Sequence, residues 1–116
     1  ALADTTDKLI LPEPCENSRP SWFGFLITCK EGVDRNAVVQ YVEKKGVQTR
    51  MLFAGNLIKH PCFDQMRESG TGYRVVGDLA VTDRIMRDTF WIGVYPGMTD
   101  EKIDYMAKVI KEGLLQ

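Results

Sequence analysis

The chain has 116 residues, of which 44% are hydrophobic and 27% are charged, so its size and composition are those of one ordinary globular domain. Fifteen Lys and Arg residues against sixteen Asp and Glu residues give a net charge of −1, without the basic stripe that binds nucleic acid. The longest apolar run, residues 22–27, is much shorter than the ~20 residues of a membrane-spanning helix. We therefore expect neither nucleic acid nor a membrane as a partner.

The beginning of the chain lacks the features of a targeting signal. It has no initiating Met, no basic region and no apolar region, so it does not resemble a secretory signal. Such a beginning favours the interpretation that the sequence is a piece of a longer chain. Three prolines within residues 12–21 predict an extended segment that leads into the first regular element.

A strand–helix–strand unit comes next. The aromatic and β-branched run 22–29 predicts a strand that is buried on both faces. Asp34 is suited to cap a helix over residues 35–45, and Gly46 stands where a left-handed residue usually ends a helix. Residues 47–52 predict the second strand.

The following twenty residues carry weak signals for regular structure. Only a short helix, over residues 61–67, is expected there, because Pro61 suits a first helical position. Long irregular segments within a compact domain are often functional.

The C-terminal third of the chain predicts a helix, a strand and a second helix. The first helix covers residues 82–88 with Thr82 as its cap, and the strand covers residues 90–95. Thr99 caps the last helix, whose buried stripe consists of Ile103, Met106, Ala107, Ile110 and Leu114. The elements together predict an α+β fold, with three short strands in one sheet and the helices packed on one face.

The cysteines and the single histidine do not predict a reactive or metal-binding site. The three cysteines are odd in number and widely spaced, unlike a disulfide framework or a zinc or iron–sulfur site, so we expect reduced thiols in a cytosolic protein: Cys15, Cys29 and Cys62. We interpret Cys62 and His60 as a packed thiol and a solvated imidazole rather than as a nucleophilic pair.

The lysines are expected to be solvated. A lysine that forms an aldimine with a carbonyl cofactor needs a buried setting that lowers its pKa. Lys59 lies in the irregular segment, and five others lie on predicted helix surfaces: Lys44, Lys45, Lys102, Lys108 and Lys111.

Residues 49–57 form the most informative segment. Arg50 stands near a strand end and is suited to hold a phosphate or carboxylate bidentately, and Asn56 can hydrogen-bond a sugar hydroxyl or a carbonyl. The alternative is that Arg50 pairs with a neighbouring carboxylate and that Asn56 supplies left-handed turn geometry. The residues alone leave both interpretations open.

Four segments together resemble one known family, in the order in which that family carries them: residues 21–25, 49–57, 73–79 and 88–97. This is the sugar aminotransferase and dehydrase family of fold-type-I pyridoxal-phosphate enzymes. The resemblance covers nearly the whole chain but only the C-terminal part of the family's proteins. The runs Phe-Trp-Ile-Gly-Val-Tyr and Arg-Met-Leu-Phe-Ala-Gly-Asn resemble more narrowly the nucleotide-sugar 3-dehydrases of O-antigen synthesis, which act on CDP-4-keto-6-deoxyhexoses.

The resemblance implies a division of labour within a larger, homodimeric parent enzyme. A large domain of the same chain would hold PLP or its pyridoxamine form (PMP) and a catalytic His, and in many members also a [2Fe-2S] cluster served by a flavin/iron–sulfur reductase. Residues 1–21 would be the extended connection from that domain, and residues 22–116 the C-terminal small domain. The small domain would close the cleft for the nucleotide-sugar substrate, with Arg50, Phe53 and Asn56 as substrate-binding residues.

The resemblance also implies that this chain holds no catalytic, cofactor-binding or metal-binding residue and is inactive alone. Two alternatives remain: the same domain of a sugar-nucleotide aminotransferase, or a stand-alone α+β module that binds a ligand or regulates a partner. A domain separated from its large neighbour should expose an apolar patch, for which the candidates are Phe53, Leu57, Ile58 and Phe63.

Overall fold

The computed structural model describes all 116 residues and contains one four-stranded antiparallel sheet. Its strands are β1 (Leu9–Ile10), β2 (Gly24–Cys29), β3 (Thr49–Met51) and β4 (Thr89–Gly93). Their order in the sheet is β1-β2-β4-β3, so β2 and β4 are central and β3 is an edge strand. The predicted α+β fold is confirmed, but the sheet has four strands rather than three.

The additional strand comes from the N-terminal segment. Leu9 pairs with Cys29 of β2 and is only 1% exposed, and Leu2 and Thr5 of a short 3-10 turn are also buried. Within residues 1–21, for which an extended connection is predicted, residues 3–5 thus form a turn and residues 9–10 a strand of the sheet, because two leucines in this stretch complete the core. The division between a connection and a domain at residue 21 stays a prediction.

Four α-helices accompany the sheet: α1 (Arg35–Lys44), α2 (Asp64–Ser69), α3 (Ala80–Asp88) and α4 (Asp100–Gly113). α1 and α4 pack against each other and on one face of the sheet, where they enclose the core. Its fully buried side chains include Leu9, Ile27, Cys29, Val38, Val42, Phe90, Val109 and Ile110. None of the helices combines the length and the hydropathy needed to cross a bilayer.

The predicted caps of α1 and α4 are confirmed. The Asp34 carboxylate accepts from the backbone N–H groups of Asn36 and Ala37 at 2.8 and 3.2 Å, which satisfies two donors of the first turn. The Thr99 hydroxyl accepts from the backbone N–H of Lys102 at 3.4 Å. Gly46 has a φ of +82°, the left-handed conformation that favours glycine after a helix.

The cap predicted for α3 is wrong. The helix begins at Ala80 rather than at Thr82, because the Asp78 carboxylate accepts from the Ala80 backbone N–H at 2.9 Å while Leu79 takes a left-handed φ of +55°. At the start of α1, Arg35 donates to the carbonyl oxygens of Met86 and Arg87, at 3.1 and 2.8 Å, and so ties the end of α3 to α1. The predicted short helix is present as a 3-10 turn over Pro61–Phe63 followed by α2.

The sheet face opposite α1 and α4, which carries Leu26, Arg50 and Trp91 and is called the open face below, is only partly covered. The residues of β2 are all buried or half-buried, as predicted, but the strand is shorter than the run 22–29: Phe23 lies just outside β2 and is 78% exposed. Its ring packs at 5.4 Å from the Trp91 ring, and a Cβ at Gly24 would lie 2.3 Å from that indole. Gly24 therefore permits Trp91 to lie flat on the sheet.

Candidate functional site

Arg50 lies on the open face of edge strand β3, opposite Trp91. Its guanidinium donates to the carbonyl oxygen of Thr49 at 2.8 Å, and the Gln48 amide oxygen can accept from it at 2.8 and 3.0 Å. It forms no ion pair with a carboxylate. The alternative that Arg50 pairs with a neighbouring carboxylate is therefore wrong within this chain, and its role toward a substrate stays a prediction.

Arg50 also lines a groove of about 710 Å³ at the β3 edge of the sheet, between β3 and the start of α4. Lys102 of α4 lies in the same groove and donates to the Tyr95 hydroxyl at 3.0 Å, with its ammonium 5.6 Å from the centre of the Tyr95 ring. The aromatic side chains of the groove are Trp91, Tyr95 and Tyr105. The groove therefore combines positive charge with aromatic rings.

Phe53 projects from the turn after β3. It has a φ of +48°, a conformation that costs a residue with a Cβ roughly 1–2 kcal/mol, and its side chain is 78% exposed. Phe53 and Phe23 line a smaller cleft of about 360 Å³ on the other side of Trp91. The structure thus brings Phe53 and Arg50 to opposite sides of one indole, on the open face.

Asn56 lies elsewhere and is only 3% exposed. Its side-chain amide nitrogen donates to the Asp83 carboxylate of α3 at 2.7 Å, and its backbone N–H contacts the Met86 sulfur at 3.3 Å. Its φ is −82°, so the alternative of a left-handed turn residue is wrong. The structure does not bring Asn56 together with Arg50, and its role toward a substrate stays a prediction.

Asp83 holds the segment that contains Asn56. The second oxygen of its carboxylate accepts from Lys59 Nζ at 2.8 Å. The hydrogen bonds from Lys59 and Asn56 stabilise the charged carboxylate and lower the pKa of Asp83 below its ordinary value. Next to this contact, Gly55 has a φ of +62°, and a Cβ there would lie 2.4 Å from Met86 Cγ. Only glycine lets the loop approach α3 so closely.

The thiols and the imidazole form no reactive cluster. All three cysteines are free; Cys15 and Cys62 are exposed, whereas burial raises the pKa of Cys29 to about 11. The His60 ring nitrogen Nε2 lies 2.5 Å from the carbonyl oxygen of Ala54. No group of three or more His, Cys, Asp or Glu side chains is arranged to hold a metal ion.

No lysine of the chain is buried, and Lys59 is paired with Asp83. The residues present therefore do not fit a pyridoxal-phosphate site, which needs a desolvated lysine or its replacement beside the cofactor. We assign no step of cofactor chemistry to this chain.

The comparison with known sequences decides the family. The sequence model of the DegT/DnrJ/EryC1/StrS aminotransferase family matches residues 1–111. The chain belongs to this family. Among curated relatives of the family, the lipopolysaccharide biosynthesis protein RfbH of Salmonella typhimurium is 50% identical over 113 residues, which are 96% of this chain and 25% of that protein. The resemblance inferred from four sequence segments is thereby confirmed.

A second curated relative is also similar in sequence, and several solved structures share the fold. The dTDP-4-dehydro-2,6-dideoxy-D-glucose 3-dehydratase of Saccharopolyspora spinosa is 44% identical over 106 residues, 90% of this chain and 22% of that protein. This DegT/DnrJ/EryC1/StrS domain thus spans a quarter or less of the length of either relative. A GDP-4-keto-6-deoxymannose-3-dehydratase structure with bound GDP-perosamine shares its fold, with a TM-score of 0.75 at 23% identity over 92% of this chain and 27% of that one.

The aminotransferase TlmJ of Streptoalloteichus hindustanus also shares the fold, with a TM-score of 0.74 at 18% identity over 97% of this chain and 28% of that one. An E. coli GDP-4-keto-6-deoxy-D-mannose-3-dehydratase with bound hydrated PLP has a TM-score of 0.73 at 22% identity over 92% and 26% of the two chains. The fold therefore occurs in both dehydratases and aminotransferases.

The predicted apolar patch is present only in part. Phe53 and Leu57 are exposed, whereas Ile58 and Phe63 are half-buried, because the Phe63 ring packs edge-on against Tyr73 at 6.1 Å. The aromatic residues around Arg50 and Phe53 were not predicted as site residues: Phe23, Trp91, Tyr95 and Tyr105. The alternation of β4, with Phe90 and Ile92 in the core, is the signal that places Trp91 on the opposite face.

Proposed function

We propose that the chain is the C-terminal small domain of a PLP- or PMP-dependent nucleotide-sugar 3-dehydrase that acts on a CDP-4-keto-6-deoxyhexose in O-antigen or related deoxysugar biosynthesis. The sequence support is the 50% identity to a lipopolysaccharide biosynthesis protein and the 44% identity to a sugar 3-dehydratase. The structural observation that carries the proposal is the Arg50 guanidinium, which has no carboxylate partner and lies beside exposed aromatic rings on the open face.

In this proposal the small domain closes the substrate cleft. Arg50 would hold an anionic group of the substrate, and Phe53 would pack on it and exclude water. Asn56 donates to Asp83 through its amide nitrogen and accepts no side-chain hydrogen bond, so its amide oxygen would be the atom that meets a sugar hydroxyl. Asn56 also fixes the loop that carries Phe53.

The remaining parts of the proposal concern the large domain. That domain would hold the cofactor, which supplies the electron sink for removal of the C3 hydroxyl, together with the catalytic His. The homodimer, the [2Fe-2S] cluster and the flavin/iron–sulfur reductase belong to the same proposal, as does a cytoplasmic location. This domain alone would bind no cofactor and turn over no substrate.

The experiment uses the complete protein that contains this domain, with a CDP-4-keto-6-deoxyhexose as substrate and the flavin/iron–sulfur reductase with its electron donor to complete the turnover. We expect Arg50→Ala to lower kcat/KM by about tenfold or more, since a charge-assisted hydrogen bond contributes ~1.5–3 kcal/mol. Thermal unfolding should be unchanged because Arg50 is exposed on an edge strand. Unaltered kinetics in this variant would show that Arg50 does not bind substrate.

The second candidate is a sugar-nucleotide aminotransferase, which the family description favours. Its product would gain an amino group instead of losing the C3 hydroxyl. A stand-alone ligand-binding module, in contrast, would bind its ligand as the isolated 116-residue chain.

A further inference from the structure

Asn56 is almost completely buried, but one of its polar atoms has no partner in the chain. Its side-chain nitrogen donates to Asp83 at 2.7 Å, its backbone N–H contacts the Met86 sulfur, and its carbonyl oxygen accepts from the Lys59 backbone N–H at 3.1 Å. Its side-chain oxygen Oδ1 accepts no hydrogen bond, yet no side-chain nitrogen or oxygen of the chain is both fully buried and without a partner. Oδ1 therefore reaches the surface as the one unpartnered polar atom of this residue.

The Asp83 carboxylate determines which end of this amide faces outward. An ionised carboxylate only accepts hydrogen bonds, whereas an amide nitrogen donates and an amide oxygen accepts. The nitrogen of Asn56 must therefore face Asp83, and its oxygen must face away. The contact also makes that oxygen a stronger acceptor, because linked hydrogen bonds polarise one another. Asp83 thus makes this point of the surface a hydrogen-bond acceptor.

Two further contacts hold Asp83 in this place. Lys59 Nζ donates to the second carboxylate oxygen at 2.8 Å, so that both oxygens are engaged. The helix that carries Asp83, α3, is tied to α1 by Arg35, which donates to two carbonyl oxygens at the end of α3. The orientation of the Asn56 amide is therefore set by elements outside its own loop.

We infer that Asp83 is a positioning residue for substrate binding, which acts through Asn56 to present a single hydrogen-bond acceptor to the sugar of the nucleotide-sugar substrate. An acceptor selects a donor, so the group bound here is a hydroxyl and not the 4-keto oxygen or a phosphate oxygen. The residues alone left both a hydroxyl and a carbonyl open as partners of Asn56. This inference rests on the proposed function, because it takes the substrate-facing role of Asn56 from it.

The test measures ligand binding to the complete protein by calorimetry. The ligand is a CDP-6-deoxyhexose with a hydroxyl in place of the 4-keto group, which cannot condense with the cofactor, and its analogues replace one hydroxyl at a time by hydrogen or by fluorine. At one position both replacements should weaken binding by about three- to tenfold, the loss of one hydrogen bond. Fluorine should bind no better than hydrogen there, because it has lone pairs but no proton to donate to Oδ1. The cost should vanish in Asn56→Leu, which removes the acceptor.

An exchange of charges separates positioning from anchoring of the loop. Asp83→Lys combined with Lys59→Asp keeps an ion pair between the loop and α3 but faces Asn56 with a donor, so its amide nitrogen turns outward. The fluorine analogue should then bind more tightly than the hydrogen analogue, by about twofold or more. Asp83→Asn, which permits both amide orientations, should abolish the difference between the two analogues and serves if the double variant does not fold.

Two controls keep an acceptor at position 83. Asp83→Glu should retain the wild-type order of the two analogues. Lys59→Gln removes only the half-exposed ion pair and should retain that order with an affinity within about twofold of wild type. A changed order in Lys59→Gln would show that Asp83 merely anchors the loop, and would overturn the inference.

The inference also fails if the charge-exchanged variant keeps the wild-type order, or if no hydroxyl has a cost that depends on Asn56. Formation of a 3-deoxy sugar by the wild-type protein would leave the proposed function standing in either case. If the analogues behave as expected but the wild-type protein forms an amino sugar, the inference stands and the proposed 3-dehydrase is wrong.

Discussion

The Asp83 carboxylate accepts a hydrogen bond of 2.7 Å from the side-chain amide of Asn56 and so ties the loop after β3 to α3. The two residues are 27 positions apart in the chain. The second oxygen of the Asp83 carboxylate accepts a hydrogen bond of 2.8 Å from Lys59 Nζ. This contact therefore helps to fix the conformation of the loop that presents Phe53. Phe53 itself is 78% exposed and lines a cleft beside Trp91.

Loss of this contact should loosen the loop. Asn56→Ala removes a buried donor, and we expect the free energy of unfolding to fall by about 1–2 kcal/mol. Urea denaturation of the complete protein, or of this chain if it folds alone, measures the change. The control is Asn36→Ala on the exposed face of α1, whose side chain makes no hydrogen bond and which should not destabilise the protein. Equal stability of the Asn56 variant and wild type would contradict the account.

The contact should also depend on pH. Hydrogen bonds from Lys59 and Asn56 lower the pKa of Asp83 below 3.8, its ordinary value, so the folded state binds this proton more weakly than the unfolded state. The resulting stabilisation is present at neutral pH and is lost as the pH falls below about 4 through the lower folded pKa. Stability measured from pH 6 to pH 2 should decline less steeply in Asp83→Asn than in wild type, and parallel curves would refute this.

Gly55 and Gly46 offer a matched pair of substitutions. Both have a positive φ, +62° and +82°, but only a Cβ at Gly55 would meet a side chain, Met86 Cγ at 2.4 Å. We expect Gly46→Ala to cost about 1 kcal/mol from backbone strain alone, and Gly55→Ala to cost a further ~1–3 kcal/mol from the clash. Met86→Ala should relieve part of that additional cost in the double variant. Equal costs at the two glycines would show that the loop does not press on α3.

The three thiols should react differently. Because burial raises the pKa of Cys29 to about 11, that thiol is protonated and shielded at pH 8, whereas Cys15 and Cys62 are exposed. Alkylation followed by mass spectrometry should show two rapid modifications in this region of the native protein and a third only after denaturation. Rapid labelling of Cys29 in the native protein would contradict its place in the core.

Features of the fold that depend on residues close together in the sequence could be predicted, whereas features that depend on residues far apart in the chain could not. Asp34 and Gly46 delimit α1 through contacts within a few residues, so the sequence alone indicates them. β1 has only two residues and exists because Leu9 pairs with Cys29, twenty positions away, which no local pattern shows. The start of α3 was misjudged because Leu79 takes a left-handed conformation that its residue type disfavours.

The same distinction applies to the site. For Arg50 the sequence left ligand binding and pairing with a carboxylate open; the structure shows no ion pair within this chain, and ligand binding stays a prediction. The partner of Asn56 lies on another helix, so its burial against Asp83 could not be inferred from the loop sequence. The place of Trp91 in the site could not be predicted, because the face of β4 that stays uncovered depends on where α1 and α4 pack.

The proposed function requires that this domain serve a nucleotide-sugar 3-dehydrase. Incubation of the complete protein with its cofactor, a CDP-4-keto-6-deoxyhexose, an amino donor, and the flavin/iron–sulfur reductase with its electron donor, followed by NMR and mass analysis of the sugar, tests this proposal. We predict a product that has lost the hydroxyl at C3 and has gained no nitrogen. A product that keeps this hydroxyl and carries an amino group at C4 would contradict the claim and establish the aminotransferase instead.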